Sequence, residues 1–480
     1  MVFLYIILAL IAIFLAVILI RAAMFKPPVE KPTEIEDVDF DRKAAVSSLQ
    51  ELIRCRTISF FDPAMEDDTE FEKFIGLLPE LYPEVARECS LTRLPNRALL
   101  FKWEGVEHNE PSVMMSHYDV VPADEEEWTK PAFDALIDEN DVLWGRGSLD
   151  TKLTFNGIMH AANHLISKDF KPIQDIYFAF SGGEEVNGLG AANIVDWFEQ
   201  QGITPALVVD EGGAVVENVF PGVKRPCALI GIAEKGLMNI EFSVTSAGGH
   251  ASSPKPHTPI GILSKACCRA ENHPFKMHIS TPAAKMFDTL GRHSSFVFRI
   301  IFANLWCFGG ILDMMSKKSG GELNALMRTT VAFTQASGSQ APNVIPPTAS
   351  FVANLRLNPR DSVDSTLDKI KNVVGDEDVH FKVGAEAVNP SGISETNCPA
   401  WDKIAKTVAD TWPGCIVSPY LMVQCSDSRH YDRISNHVYR FSAADLTAEE
   451  RESIHGNDEH VRVEVVKRAV EFYIRLMCKC

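Results

Sequence analysis

The chain has 480 residues, a formal net charge of −18 and 46% hydrophobic residues. That composition is typical of globular proteins and excludes a disordered or low-complexity chain. At roughly 150 residues per domain, two or three domains are expected. The negative charge argues against a nucleic-acid binder, because the chain has no excess of basic residues to neutralise phosphates.

The chain opens with an apolar segment. Val2–Ile20 contains no charged residue and no Gly, Pro or Asn, and about 19 helical residues span roughly 28 Å, close to the hydrocarbon core of a bilayer. The segment lacks a basic amino-terminal region and is longer than the apolar part of a usual signal peptide. A transmembrane anchor over residues 1–26 is therefore predicted, with a cleaved signal or a buried helix as alternatives.

The sequence leaves the side of the membrane open. Arg21, Lys26 and Lys31 follow the apolar segment, which favours a cytosolic body of the protein. The eleven cysteines contain no CxxC pair and resemble ordinary thiols, and the chain has no Asn-x-Ser/Thr sequon. Both features favour the same side.

The middle of the chain alternates short apolar runs with amphipathic segments. Residues 27–41, rich in Pro and acids, are predicted to be a tether. Buried strands are predicted at Ser112–His117, Asp175–Ser181 and Ala206–Asp210, and helices at Asn156–Lys168 and Gly190–Gln200. This alternation predicts an α/β fold with a mixed, mostly parallel sheet and helices on both faces.

A smaller α+β module interrupts this pattern. Half-exposed strands are predicted at Met238–Thr245 and Ala349–Leu357, which indicates a lid or dimerisation domain at residues 237–387 between two parts of a catalytic domain, 42–236 and 388–480. Within it, Phe296–Met315 is unusually apolar, although Arg299, Asn304 and Asp313 argue against a second membrane span. Two interpretations of this segment remain open. It is either a buried helix or an apolar surface that meets a lipid-like substrate or the bilayer.

Imidazole and carboxylate side chains follow the predicted strands. They are His117 and Asp119, Asp150 after two glycines, the pair Glu184 and Glu185, Asp210, and His455 near the carboxyl terminus. Each has an ordinary alternative, such as a helix cap or a solvated loop acid. Three of the acids and one histidine lie at or just after predicted strand ends, where open α/β sheets bind ligands. Imidazole with carboxylate but no thiolate suits zinc, with cobalt or manganese as substitutes.

Six short sequence motifs follow one another along the chain, and several of them contain the residues named above. They are Ser116–Pro122 (SHYDVVP), Gly145–Lys152 (GRGSLDTK), Ser181–Glu185 (SGGEE), Val209–Gly213 (VDEGG), Gly248–Pro254 (GGHASSP) and Asn343–Pro346 (NVIP). With them the chain resembles the di-zinc amidohydrolase and peptidase family of carboxypeptidase S and aminoacylase. Within that family it is most similar to the N-fatty-acyl-amino acid synthase/hydrolase branch, which is associated with secreted or lumenal proteins.

The resemblance implies a role for each residue. His117 and Asp210 would hold one zinc, Glu185 and His455 the other, and Asp150 would bridge them. Asp119 would orient His117, Glu184 would be the general base, and His250 would donate to the developing oxyanion, sometimes across a dimer formed through the lid. Asn343 resembles a substrate contact, and Arg429 is the candidate clamp for a substrate carboxylate.

The expected activity is hydrolysis, or reversible synthesis, of the amide bond of N-acyl and in particular N-fatty-acyl amino acids. A carboxypeptidase or dipeptidase acting on short peptides is the alternative. A membrane-tethered binding protein on an inactive hydrolase fold is disfavoured, because no implied ligand or base is missing. Gly182-Gly183 and Gln424-Cys425-Ser426 depart from the nearest branch, which puts the acyl-chain and side-chain preference in doubt.

Overall fold

We analysed a computed structural model that describes residues 1–28 and 37–480. Most of the predicted tether, including Lys31, therefore lies outside the described residues. The eleven cysteines are free thiols.

Seventeen strands alternate with helices along the described chain. The strands are β1 (Ser90–Leu94), β2 (Ala98–Trp103), β3 (Glu107–His117), β4 (Leu136–Ile137), β5 (Val142–Trp144), β6 (Gln174–Ser181), β7 (Leu207–Val216), β8 (Cys227–Glu234), β9 (Gly236–Thr245), β10 (Gly249–His250), β11 (Thr330–Ser337), β12 (Val344–Ile345), β13 (Thr348–Leu357), β14 (His380–Val383), β15 (Ile416–Met422), β16 (Val438–Leu446) and β17 (His460–Arg462).

Besides four short 3₁₀-helices, the described residues form fifteen α-helices. They are α1 (Val2–Met24), α2 (Arg42–Ile53), α3 (Asp68–Leu81), α4 (Pro83–Glu88), α5 (Lys152–Ser167), α6 (Gly190–Gln201), α7 (Pro259–Asn272), α8 (Thr281–His293), α9 (Phe296–Phe302), α10 (Leu305–Ser319), α11 (Gly321–Met327), α12 (Val363–Val374), α13 (Pro399–Thr411), α14 (Ala448–Ser453) and α15 (Val463–Met477).

The largest sheet has eight strands in the order β1-β2-β6-β3-β7-β16-β8-β15. The inner pairs β6–β3, β3–β7 and β7–β16 are parallel, and β8–β15 is parallel at one edge. Every residue of β6 is buried, as expected for a strand covered by helices on both faces. The predicted α/β fold with a mostly parallel sheet is confirmed, and the predicted strand at Asp175–Ser181 differs from β6 by one residue.

A separate four-stranded antiparallel sheet has the order β11-β13-β9-β14. Its own apolar core includes Phe242 and Leu355 on the strands, Leu263 on α7 and Ile370 on α12. These elements fall inside the predicted lid. Helices α8 to α11 also fall inside that range, but their buried side chains pack with Leu229 and Tyr420 of the larger sheet. The domain boundaries stay a prediction.

The apolar stretch Phe296–Met315 forms two helices rather than one. Helices α9 and α10 meet at an angle of 101°, and the break falls at Ala303 and Asn304. Most large side chains of α1 are exposed, and only Ile18 and Ala22 are buried. Helix α1 is long and apolar enough to cross a membrane, and a signal sequence would have the same character.

Candidate active site

His117 and three glutamates meet where the parallel strands of the large sheet end. His117 is the last residue of β3, Glu184 and Glu185 form a short turn just after β6, and Glu211 lies on β7. Carboxyl ends of neighbouring parallel strands share one edge of the sheet, which is where open α/β sheets bind ligands. The fold thereby gathers residues that are far apart in sequence.

Asp150 lies between two histidines. Its Oδ1 is 3.0 Å from His117 Nε2, and its Oδ2 is 3.0 Å from His455 Nε2. Glu185 Oε2 is also 3.0 Å from His455 Nε2, and Glu211 Oε1 is 3.3 Å from His117 Nε2. Asp150 therefore joins two pairs, His117 with Glu211 and His455 with Glu185.

The ligand atoms in this cluster fit divalent cations. Two sets of three atoms lie within 4.8 Å of one another, from His117, Glu184 and Glu211 and from His117, Asp150 and Glu185. Within the described chain, the buried Glu185 Oε1 has no hydrogen-bond partner, although buried polar atoms are normally satisfied. Imidazole and carboxylate donors without thiolate suit zinc, manganese or cobalt.

Buried like charges shift the pKa values of the cluster. Burial, reinforced by Asp150 and Asp210, raises the pKa of Glu211 to about 8. Burial also raises the pKa of Glu184 well above its usual value, and Asp427 and Glu211 add to the shift. Hydrogen bonds to Asp150 and Glu185 raise the pKa of His455 to about 10. Each shift favours the protonated form, because protonation reduces the concentration of negative charge in this buried cluster.

Asp119 supports both His117 and the glutamate pair. Its Oδ1 is 3.4 Å from His117 Nδ1, and its carboxylate accepts hydrogen bonds from the backbone N–H groups of Glu184 (3.1 Å) and Glu185 (3.2 Å). Gly182 allows this turn to lie close to Tyr118, because a Cβ at Gly182 would be only 2.7 Å from the tyrosine Cζ. A larger residue at position 182 would therefore require Tyr118 or the turn to move.

The role of Asp210 as a ligand beside His117 stays a prediction, and its side chain makes other contacts in the structure. The buried carboxylate of Asp210 accepts hydrogen bonds from the backbone N–H groups of Ser428 and Glu211, each at 2.9 Å. The adjacent Glu211 is the acid that reaches His117. The sequence analysis missed Glu211, although the signal was present in the Asp-Glu-Gly-Gly motif, where either acid could face the site.

Glu459 was also missed, and it shapes the loop that carries Asp150. Its Oε1 accepts hydrogen bonds from the backbone N–H groups of Leu149 (2.7 Å) and Asp150 (3.2 Å). Its Oε2 accepts from Gly147 N–H (3.1 Å) and from Arg146 Nη1 (2.7 Å). The Glu459 side chain is fully buried. Nothing in the local sequence pattern pointed to a residue so distant from that loop.

His250 and Asn343 lie together on the smaller module. His250 pairs with Val344 across the β10–β12 ladder, and Asn343 C=O accepts a hydrogen bond from Ala251 N–H at 3.0 Å. His250 is exposed, and its Nδ1 accepts from Ser252 N–H. Neither His250 nor Asn343 is among the described residues that line the cavity at the cluster. Their proposed substrate contacts stay predictions.

Arg429 contacts an acid of the protein itself. Its Nη2 is 3.3 Å from Glu234 Oε2, and its Nε donates to Ser426 C=O at 3.0 Å. The other Glu234 oxygen pairs with the fully buried Arg440 at 3.2 Å. A role for Arg429 as a carboxylate clamp stays a prediction, and the observed contacts hold it in a buried ion network.

A cavity of about 730 Å³ opens from the cluster. Asp150, Glu184, Glu185, Glu211 and His455 are among the residues that line it. Much of the remaining wall is apolar, with Leu229, Met422, Val423, Ala444 and Leu446 among its residues. Gln424 and Cys425, which depart from the resembling branch, also line this cavity. The cavity wall therefore includes the cluster, a larger number of apolar residues, which we call the apolar chamber, and the charged Glu322, Arg451 and Glu452.

Comparison with known proteins identifies the family. The family model for peptidase family M20/M25/M40 matches residues 113–479. The chain belongs to this family. It is a metal-dependent hydrolase of amide or peptide bonds, as the sequence analysis predicted.

Two kinds of relative are similar over most of the chain. An N-fatty-acyl-amino acid synthase/hydrolase from Xenopus tropicalis is 34% identical, covering 97% of this chain and 92% of the relative. A probable carboxypeptidase S-like protein from Dictyostelium discoideum is 33% identical, covering 93% and 86%. The predicted family resemblance is confirmed.

Among solved structures, an M20 family metallo-carboxypeptidase from Sulfolobus solfataricus has a similar fold. The TM-score is 0.68 at 16% identity, with 90% of this chain and 98% of that chain covered.

Removing the charge of Glu459 should destabilise the protein. In Glu459→Gln the buried Arg146 loses its ion pair, and losing one partner of a buried pair costs about 3–5 kcal/mol. Urea denaturation followed by circular dichroism measures the loss. Glu464→Gln is the matched control, because Glu464 forms an exposed pair with Lys467 worth under about 1 kcal/mol. Equal effects of the two substitutions would contradict the role given to Glu459.

Proposed function

We propose that this protein hydrolyses N-acyl amino acids that carry a long apolar acyl group, at a site that holds two divalent cations, with zinc as the expected metal. The apolar cavity that opens from the histidine–carboxylate cluster carries this proposal. A fatty acyl chain would occupy the apolar chamber while its amide lies at the cluster. The similarity to N-fatty-acyl-amino acid synthase/hydrolases supports the same substrate class.

The geometry favours a specific ligand set. His117 and Glu211 would hold one cation, Glu185 and His455 the other, and Asp150 would bridge them, because its two oxygens reach the two histidines. Asp119 would keep His117 in its orientation. When bound, two such cations lower the pKa of a water and polarise the substrate carbonyl. Relative to the sequence-based proposal, Glu211 replaces Asp210.

Glu184 is the proposed general base. Its backbone is held by Asp119, its side chain lies in the cluster with His117 and Glu211, and it lines the cavity. Its carboxylate would accept a proton from the attacking water and then deliver it to the nitrogen of the leaving amine. The reverse path forms the amide, which in water requires high concentrations of fatty acid and amino acid.

Helix α1 is proposed to remain as a membrane anchor. Arg21 on α1 donates hydrogen bonds to Ala303 C=O (3.0 Å) and to Asn304 Oδ1 (3.1 Å), and Ile18 and Ala22 are buried. These contacts join the carboxyl-terminal end of α1 to the body of the protein. The flanking charges favour a cytosolic body, whereas the resembling branch favours a lumenal or secreted one.

A peptidase activity is the second candidate. The similarity to carboxypeptidase S-like relatives supports it. The catalytic groups would be the same for both activities. The apolar chamber would hold part of a peptide instead of a fatty acyl chain. Relative kcat/KM for N-oleoyl-phenylalanine, N-acetyl-phenylalanine and an amino-blocked dipeptide separates the two proposals, and a preference for the dipeptide would favour the peptidase.

Metal binding should depend on Glu211 more than on Asp210. Glu211→Gln removes a proposed ligand and should weaken binding at one of the two positions by more than about 100-fold. Asp210→Asn alters only a supporting contact and should cost about 10–100-fold. Metal content after dialysis, measured by mass spectrometry, distinguishes them when circular dichroism shows both variants folded. The reverse order of effects would restore Asp210 as the ligand.

Glu184→Gln should lower kcat for N-oleoyl-phenylalanine by about 10²–10⁴-fold, the usual contribution of a general base. The number of bound metal ions and the unfolding midpoint should change little. Glu199→Gln on the exposed side of α6 is the matched control and should keep wild-type activity. Retention of most activity in Glu184→Gln would show that another group accepts the proton.

Narrowing the apolar chamber should discriminate between acyl lengths. Ala325 on α11 lines the cavity, so Ala325→Phe should reduce kcat/KM for N-oleoyl-phenylalanine by about tenfold or more, because a displaced acyl chain loses about 0.8 kcal/mol per unburied CH₂. The rate for N-acetyl-phenylalanine should hold. Ala284→Phe, at an exposed position of α8, is the control. Equal losses for both substrates would place the acyl chain elsewhere.

A further inference from the structure

Helices α9 and α10 expose an unusual concentration of apolar surface. Six large hydrophobic side chains in this short stretch are exposed: Phe296, Val297, Trp306, Ile311, Met314 and Met315. Scattered exposed hydrophobic residues are normal on soluble proteins, whereas a contiguous patch marks contact with another protein or a membrane. We call the two helices and the bend between them the α9–α10 corner.

The α9–α10 corner packs along the final turns of α1. The ring of Trp306 meets the ring of Phe14 edge-on at 5.8 Å between centroids. Asn304 Nδ2 donates to Ile18 C=O at 3.2 Å, and Arg21 donates to Ala303 C=O. From Phe14 to Arg21 an α-helix rises about 10 Å. The corner therefore lies beside the last 10 Å or so of α1, at the same depth.

Ala303 C=O and the Asn304 side chain at the bend have hydrogen-bond partners within the protein, whereas the buried Nε of Arg299 on α9 has none among the described residues. Ala303 C=O, near the end of α9, accepts from Arg21, and the fully buried Asn304 also donates to Ile300 C=O at 2.9 Å. Its Oδ1 accepts from Arg21 and from the Trp306 ring N–H. In hydrocarbon each unsatisfied backbone group is costly, so a break in a helix requires such internal partners.

Charged residues follow the apolar surface. Lys317 and Lys318 are exposed in the last turn of α10, where flexible basic side chains reach lipid headgroups from an apolar helix face. Asp313 is compensated by Lys317 at 2.8 Å and by Arg328 at 2.7 Å. The corner thus has an apolar face that ends in basic residues.

We propose that the α9–α10 corner lies in the same bilayer leaflet as the carboxyl-terminal turns of α1 and contacts phospholipid directly. This inference rests on the proposed anchoring of α1. If the exposed side chains of α1 lie in lipid, then the corner packed beside α1 is in contact with the same lipid. Helix α11 follows α10 and lines the cavity through Gly321, Glu322 and Ala325. The membrane contact is therefore continuous with a wall of the active-site cavity.

Site-specific photo-crosslinking of the full chain in phosphatidylcholine–phosphatidylserine nanodiscs tests the proposal. A benzophenone amino acid is placed at Met314 or Val297 in the corner. It is placed at Val106 as the control, because Val106 is as exposed as Val297 (67% each) but lies between β2 and β3. Leu8 in α1 reports on the anchor. Lipid adducts are detected by mass spectrometry.

We expect lipid adducts at Leu8, Met314 and Val297 and at least about tenfold fewer at Val106. Adducts at Leu8 with none above the Val106 level in the corner would overturn this inference and leave the anchor intact. Absence of adducts at Leu8 would overturn both. Protein–protein adducts between two chains at Met314, in place of lipid, would assign the corner to a dimer interface and also overturn the proposal.

A kinetic measurement adds an independent readout. The double variant Val297→Glu with Met314→Glu should lower the rate for N-oleoyl-phenylalanine supplied in vesicles by about tenfold relative to the rate for soluble N-acetyl-phenylalanine. The control is Val106→Glu with Ile173→Glu, which should leave that ratio unchanged. Both residues are exposed, and they directly precede β3 and β6, at the ends of these strands that lie away from His117. An unchanged ratio in the corner variant would count against lipid contact.

Discussion

The confinement of several carboxylates to one buried space is the constraint on which this protein depends. Asp150, Glu184, Glu185 and Glu211 lie within a few ångströms of His117. Burying one ionised carboxylate without a partner is already unfavourable, and neighbouring like charges add to the cost. The arrangement is tolerable when protons or cations share the space, which is why a cluster that would destabilise an ordinary core serves a metal-dependent hydrolase.

Residues from distant parts of the chain hold these acids in place. Three parallel strands bring their ends to one edge, Asp119 accepts two backbone hydrogen bonds from the turn after β6, and Glu459 fixes the loop before α5. Each supporting group is an acid that is itself satisfied by N–H donors. The acids that line the cavity have fewer hydrogen-bond partners within the protein. The number of partners thus distinguishes the supporting acids from the acids that are available to bind ligands.

The sequence predicted the sheet, its buried strands and most residues of the cluster, because apolar runs ending in acids are visible along a single chain. It named Asp210 and not the adjacent Glu211 as a ligand, although the pattern of a single strand does not decide between the two acids. Successive residues of a strand face opposite sides, and the β7–β16 register shifts beside these two acids. Glu459 and Glu234 were also missed, because their partners are distant in sequence. In the α9–α10 corner some side chains are buried and others exposed, so a fully buried helix is not observed and contact of the exposed part with lipid stays a prediction.

The support that Glu459 gives to Asp150 spans 309 residues of sequence. During synthesis at about 5–20 residues per second, roughly 15–60 s separate the emergence of these two residues. Until then the Asp150 loop has no carboxylate to bind its N–H groups, and His455 is missing as well. The proposed catalytic centre therefore cannot be completed before residues 455–459 have been synthesised, and hydrolytic activity is expected only from a nearly full-length chain.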